Sequence, residues 1–221
     1  LERMRDIQPQ GPYNILGWSF GGLIAHELTR QLEQSGEEIA FLGLLDAYPF
    51  VPPSGQSFYT EATLAKAALG FLGFDETIMG DNPGFAALGD FLAKEYGLRD
   101  NVFFAELLRE DPAFMDTLRS VILHHLSLAQ TFVPGKIKTP IHFVSARPPA
   151  SRILHAVLKY GADHWLPHAA GGMYRYAMDA AHEDMLEHNN AKKIADVFLQ
   201  PSRPSTPRFV RVADMPAHSS R

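Results

Sequence analysis

The chain has 221 residues, a formal net charge of −5 and no cysteine, with hydrophobic residues at 46% and charged residues at 20%. That length and composition suit one ordinary globular domain. The mild acidic excess excludes the basic stripe that nucleic acid demands, and the missing cysteines exclude disulfides, a cysteine zinc site and a thiol nucleophile.

In chain order, residues 13–18, Tyr-Asn-Ile-Leu-Gly-Trp, read as a short buried strand ending in a Gly-rich turn. Leu23, Ile24, Leu28 and Leu32 recur at helical spacing and predict a helix over 22–34, with Gly36 as its stop. Ile39–Leu45 is a continuous apolar run, the pattern of a central parallel strand covered on both faces. Strand, helix and strand in this order make a βαβ unit. Pro49, Pro52, Pro53 and Gly55 make 49–58 a loop. A helical region then runs to about Phe132, with helices near 61–72 and 85–96. Its clearest helix opens at Asp111-Pro112, a cap followed by proline at the first helical position. Phe114, Leu118, Val121, Ile122 and Leu126 give that helix one apolar face. The α/β alternation resumes with a strand at 140–146, an alternating last strand at 173–179 and a closing helix at 184–199. Residues 201–221, rich in proline and serine, are expected to form a disordered tail. The longest apolar run is far shorter than the about 20 residues of a membrane-spanning helix. The charged N-terminus is no signal peptide, so a cytoplasmic enzyme or binding domain is expected.

Gly17-Trp18-Ser19-Phe20-Gly21-Gly22 fits Gly-x-Ser-x-Gly between a strand and an amphipathic helix, the setting of a nucleophile elbow. The turn is sharp and strained, so its neighbours must be small, and Gly17 and Gly21 are expected to supply the room. Ser19 is the candidate nucleophile, and the Phe20 amide is expected to point at the oxyanion. The competing reading is an ordinary βα turn with Ser19 as a helix cap.

A serine hydroxyl needs a base, and the base needs an acid to orient it. Asp46 directly follows Ile39–Leu45, one helix and one strand after Ser19, and so belongs at the same sheet edge. After the strand at 140–146, Arg147-Pro148-Pro149-Ala150 offers no carboxylate. Asp46 is therefore the expected acid, with a plain turn aspartate as the competing reading. Of the 10 histidines, His182 lies between the last strand and the closing helix, where the base belongs. His164 and His168 precede that strand and stand as alternatives, and His188 lies inside the closing helix. The histidines form no metal-type cluster, so no metal site is expected.

The elbow, then Leu44-Leu45-Asp46, then His182-Glu-Asp-Met-Leu resemble the type I thioesterase domains that end nonribosomal peptide synthetases and polyketide synthases. The resemblance runs from about residue 11 to about residue 200. It implies an α/β-hydrolase fold, a mostly parallel sheet with flanking helices and a helical lid at about 56–132. It implies a substrate held as a thioester on the phosphopantetheine arm of a carrier protein, itself upstream in the same polypeptide, as in antibiotic or siderophore assembly. Ser19 would take the acyl or peptidyl chain as an ester, and water or a nucleophile within the chain would release an acid or a macrocycle. The domain would bind no cofactor of its own.

Two features depart from the family. Ala180 stands where a glycine is common, two residues before the histidine. Only 18 residues precede Ser19, where the family places several strands and a helix. The expectation is a domain at 1–200 that lacks its N-terminal strands and its second oxyanion donor, with an exposed edge on the first strand. Weak activity and poor solubility in isolation would follow. Two rival functions share these residues. A free-standing carboxylesterase or lipase more often carries its acid one strand later, and a noncatalytic remnant would be expected to lose a member of the triad.

Overall fold

A computed structural model describes residues 1–49, 60–71, 75, 77–84, 87–91, 94, 113–147, 161–199 and 208–210. The chain divides into two compact units, one of residues 1–50, 132–149 and 160–221, the other of residues 51–131 and 150–159.

Among the described residues, the first unit holds a five-stranded sheet in the order β1-β2-β3-β4-β5. Its strands are β1 (Tyr13–Trp18), β2 (Ile39–Leu45), β3 (Ile141–Ala146), β4 (Met173–Met178) and β5 (Arg208–Val210). The first three pairings are parallel and the last is antiparallel. Helices α1 (Glu2–Ile7) and α2 (Phe20–Gln34) flank β1 in the chain. This is the expected α/β-hydrolase architecture. The apolar run of β2 is central as its composition required: Leu42, Leu44 and Leu45 are buried, as are Ile141, Phe143 and Val144 beside them on β3. Each such side chain contributes about 1.5–3 kcal/mol of burial.

Among the described residues β1 lies at one edge of the sheet, as expected of it, and its burial alternates rather than being continuous, with Tyr13 and Ile15 inside and Leu16 53% exposed. In α2 the buried stripe is also rotated from the predicted one. Ile24 is exposed, while His26 and Thr29 are buried with Leu23, Ala25 and Leu32. The polar pair conceals the stripe from a hydropathy reading. At the last turn of α2, Glu33 accepts hydrogen bonds from the amides of Lys138 and Thr139 and from the Thr139 hydroxyl, at 2.7–3.0 Å, which fastens the helix to the approach of β3.

The closing helix begins later than expected. A 3₁₀ turn at Glu183–Leu186 comes first, followed by the final helix at His188–Leu199. The tail reading is corrected at Arg208–Val210. An Arg-Phe-Val triplet with an aromatic and a β-branched residue adds to the edge of β4 as β5. Residues 201–207 and 211–221 lie outside the described residues.

The second unit holds α3 (Glu61–Phe71) and α4 (Phe114–Thr131), with further helical residues at 87–91. Thr60 caps α3 by accepting the Thr63 amide at 3.1 Å. Ala62, Ala65 and Leu69 form its buried stripe, and Leu88 is buried too. In α4, Val121 is exposed rather than on the apolar face expected for it. It shares an outward stripe with Leu128 seven residues on, while Ala129 is buried. The Asp111-Pro112 cap, residues 50–58 of the proline-rich loop and residues 148–150 lie outside the described residues. No helix among the described residues is long and apolar enough to cross a membrane.

Candidate active site

β1 stops at Trp18 because Ser19 takes φ 55° and ψ −129°, a conformation that side-chain-bearing residues rarely adopt. The turn is pinned on both sides. The Ser19 amide donates to the Leu45 carbonyl and the Gly22 amide to the Ser19 carbonyl, each at 2.9 Å. Phe20 is the first residue of α2, so its amide lies at the positive end of the helix. The Ser19 side chain makes no capping hydrogen bond, so the hydroxyl does not serve the helix as the competing reading supposed.

The steric logic of the elbow is partly different from the one expected. A Cβ on Gly17 would run into the backbone of Gly21 and Gly22, as predicted for that position. A Cβ on Gly21 would meet nothing within 4 Å, whereas one on Gly22 would collide with Cβ of Ala47. The backbone of Gly21 is the obstacle for Gly17, but its own missing side chain is not required. Gly22 needs to be bare because the residue after Asp46 packs against it.

Asp46 is the second strained residue, at φ 45° just beyond β2. Its amide donates to the Val144 carbonyl at 2.7 Å. Its carboxylate is almost fully buried and takes three hydrogen bonds. Oδ1 accepts from the Tyr48 hydroxyl at 2.7 Å and from the Ala146 amide at 3.0 Å, and Oδ2 pairs with His182 Nδ1 at 2.7 Å. Burial alone would raise the carboxyl, but the bonds from His182, Ala146 and Tyr48 outweigh it and hold Asp46 below the ordinary carboxylate range. Burial, then the adjacent Asp46 charge, pushes the Tyr48 hydroxyl far up, so it stays protonated as a donor. An ionised carboxylate only accepts, so Nδ1 of His182 carries the proton and Nε2 is the basic nitrogen.

His182 is buried, 3% exposed, and its loop is anchored. Met185, three residues on, sits in an apolar cluster with Leu45, Val144, Ala146, Met178 and Ile194. The Arg147 amide donates to the Ala180 carbonyl at 3.0 Å. The indole of Trp18 donates from Nε1 to the His182 carbonyl at 3.1 Å, and its ring lies 4.8 Å from the imidazole. The structure thus brings Asp46 and His182 into contact and places Ser19 one residue beyond the tryptophan that touches His182. His164 and His168 are elsewhere, in a 3₁₀ helix at Ala162–His168. The His168 carbonyl accepts the Ile137 amide ahead of β3, and Asp46 Oδ2 is taken by His182. Two residues at the site escaped the sequence reading, Tyr48, two positions after Asp46, and Trp165, which donates from Nε1 to the Ala47 carbonyl at 2.7 Å, while Trp18 was read only as part of the motif.

With this geometry in place, residues 1–200 match the family described as thioesterase domain. The chain belongs to the thioesterase domain family. Among its relatives, a dimodular nonribosomal peptide synthase of Bacillus subtilis (strain 168) is 28% identical over 201 residues, covering 90% of this chain and 8% of the relative. Vanchrobactin synthetase VabF of Vibrio anguillarum is 31% identical over 198 residues, covering 89% of this chain and 6% of the relative. The thioesterase domain therefore spans less than a tenth of the length of either synthetase. Two solved structures share its fold. A four-domain nonribosomal peptide synthetase bound to AMP and glycine superposes with a TM-score of 0.67 at 22% identity, over 92% of this chain and 15% of that one. The thioesterase domain that cyclises the lipopeptide antibiotic surfactin gives a TM-score of 0.54 at 17% identity, over 93% of this chain and 74% of that one.

Proposed function

We propose that Ser19, Asp46 and His182 are the nucleophile, orienting acid and base with which this thioesterase domain releases an acyl or peptidyl chain from a carrier protein. The observation that carries the reading is the buried 2.7 Å pair of Asp46 Oδ2 and His182 Nδ1, set beside the strained turn that holds Ser19. In the first half-reaction Ser19 Oγ attacks the thioester carbonyl and passes its proton to His182 Nε2. The Asp46 carboxylate stabilises the imidazolium and does not itself take the proton. The oxyanion forms at the start of α2, where the Phe20 amide is the expected donor. As the C–S bond breaks, the imidazolium returns a proton to the departing thiol and leaves acyl-Ser19. In the second half, water or a nucleophile within the chain repeats the sequence and frees an acid or a macrocycle.

The substrate assignment rests on relatives that include a dimodular nonribosomal peptide synthase and a vanchrobactin synthetase. Such a substrate arrives on the phosphopantetheine arm of a carrier protein in the same polypeptide, so the domain needs no resident cofactor. The test is covalent labelling of the full chain by a fluorophosphonate together with hydrolysis of an acyl-N-acetylcysteamine thioester. Ser19→Ala is expected to abolish both with little change in fold. Equal labelling of wild type and variant refutes the nucleophile. Faster turnover of p-nitrophenyl esters than of carrier-bound acyl chains would favour an esterase instead.

A further inference from the structure

A staircase of main-chain hydrogen bonds carries the site across the sheet. Ser19 is tied to Leu45 beside the acid, Asp46 to Val144 on β3, and Arg147 after β3 to Ala180 just before the base. Each bond links one strand end only to the next, so displacement can accumulate between the first and last steps. The Trp18 indole spans that gap directly, from the residue preceding the nucleophile to the carbonyl of the base residue itself, across 164 positions of sequence.

We propose that Trp18 is a positioning residue for His182, a role that rests on the Ser19–Asp46–His182 reading. Two contacts act on different degrees of freedom. The Nε1 bond holds the His182 carbonyl at 3.1 Å, where the Met185 amide of the short 3₁₀ turn reaches the same oxygen at a looser 3.4 Å. The indole plane lies 4.8 Å from the imidazole at a tilt of 32°. Rotation of the imidazole about its Nδ1–Asp46 bond would carry Nε2 along an arc away from Ser19. A flat, rigid ring alongside closes off part of the arc. Trp18 is itself fixed, because it packs against the apolar cluster of Leu45, Val144 and Met185. Misplacement of a reacting group by about 1 Å costs about 10²-fold in rate, so restraint of this kind bears on turnover rather than on substrate affinity.

The experiment separates the two contacts in the full chain. Trp18→3-benzothienylalanine keeps the shape of the indole and loses the N–H; Trp18→Phe keeps an aromatic face of smaller area; Trp18→Ala loses both contacts. Active sites are counted by the fluorophosphonate labelling endpoint, and kcat per labelled site and KM are measured on an acyl-N-acetylcysteamine thioester. The benzothienyl and Phe variants are expected to lose about 3–10-fold in kcat per labelled site, the scale of one net hydrogen bond. KM and melting temperature should stay near wild type. Trp18→Ala is expected to lose about 10²-fold. Wild-type kcat per labelled site in the benzothienyl and Phe variants, with any loss confined to melting temperature or to the labelled fraction, overturns the proposal and leaves Trp18 a packing residue. Ser19→Ala is run alongside. Labelling that persists there overturns the triad reading and this proposal together, whereas Ser19-dependent labelling with unaltered Trp18 variants overturns the proposal alone.

Discussion

Asp46→Asn is the substitution whose outcome the geometry specifies most tightly. The side chain keeps its size, but its two ends cease to be equivalent. Oδ1 faces two donors, the Tyr48 hydroxyl and the Ala146 amide, and the oxygen of asparagine must stay there to satisfy them. The NH₂ group is then aimed at His182 Nδ1, where the carboxylate oxygen had been. Two donors cannot face each other, so the imidazole shifts its proton to Nε2 and presents Nδ1 as an acceptor. The base nitrogen then already carries a proton and cannot take one from Ser19. In a worked serine-protease triad the wrong tautomer costs about 10⁴ in turnover, or about 5 kcal/mol at 1.36 kcal/mol per tenfold. Because every hydrogen bond is replaced, the melting temperature should hardly move. The assay is kcat on an acyl thioester with a thermal melt of the same sample. A loss below tenfold, or a loss that tracks unfolding, would show that Asp46 does not set the tautomer of His182. Tyr48→Phe probes the same logic from the other side. It removes one of the two donors that orient the carboxylate and should lower kcat by about 3–10-fold, the scale of one hydrogen bond.

The glycines of the elbow and the buried histidine of α2 give two further predictions. Gly17→Ala and Gly22→Ala force a methyl into backbone and into Ala47 respectively and should each destabilise by about 1–3 kcal/mol or more. Gly21→Ala meets open space and should be neutral or slightly stabilising by melting temperature; equal damage from all three would refute the assignment of the steric contacts. His26 is held down to about 4 from 6.5, first by burial and then by the nearby His168. It is neutral in the fold and protonates in the unfolded chain below its ordinary value. Stability should therefore be full above pH 6.5 and decline as pH falls towards about 4, by about 3 kcal/mol. His26→Gln should flatten that part of a urea-unfolding pH series, and identical slopes in the two proteins would remove His26 as the cause.

What the sequence made legible was whatever is encoded by neighbours. The strand-turn-helix around Ser19 and the apolar run that delivers Asp46 are both local patterns, and chain order singles out His182. The supports are not local. Tyr48 reads as an ordinary loop tyrosine until the fold brings Ala146 to the other lone pair of Asp46 Oδ1. Trp18 reads as one residue of a motif until the base loop, 164 positions away, presents its carbonyl. The steric role expected of Gly21 falls to Gly22, because a pattern of spacing does not reveal that Ala47 packs against the helix. In α2 the buried His26 and Thr29 broke the hydropathy signal, and in α4 the stripe containing Val121 carried apolar residues that the fold leaves exposed. Backbone strain at Asp46 was invisible as well, since aspartate is common in turns whether or not its φ is positive.

The carboxylate of Glu33 joins chain positions 105 and 106 residues apart, Lys138 and Thr139. β2 and the whole excursion that follows it are enclosed between those points. An excursion whose far end is already moored to the sheet behaves as a detachable insert. The cost of lengthening such a loop grows only with the logarithm of its length, about 0.6 kcal/mol for each doubling. Segments of very different size can therefore be exchanged between β2 and β3 while Ser19, Asp46 and His182 keep their registers.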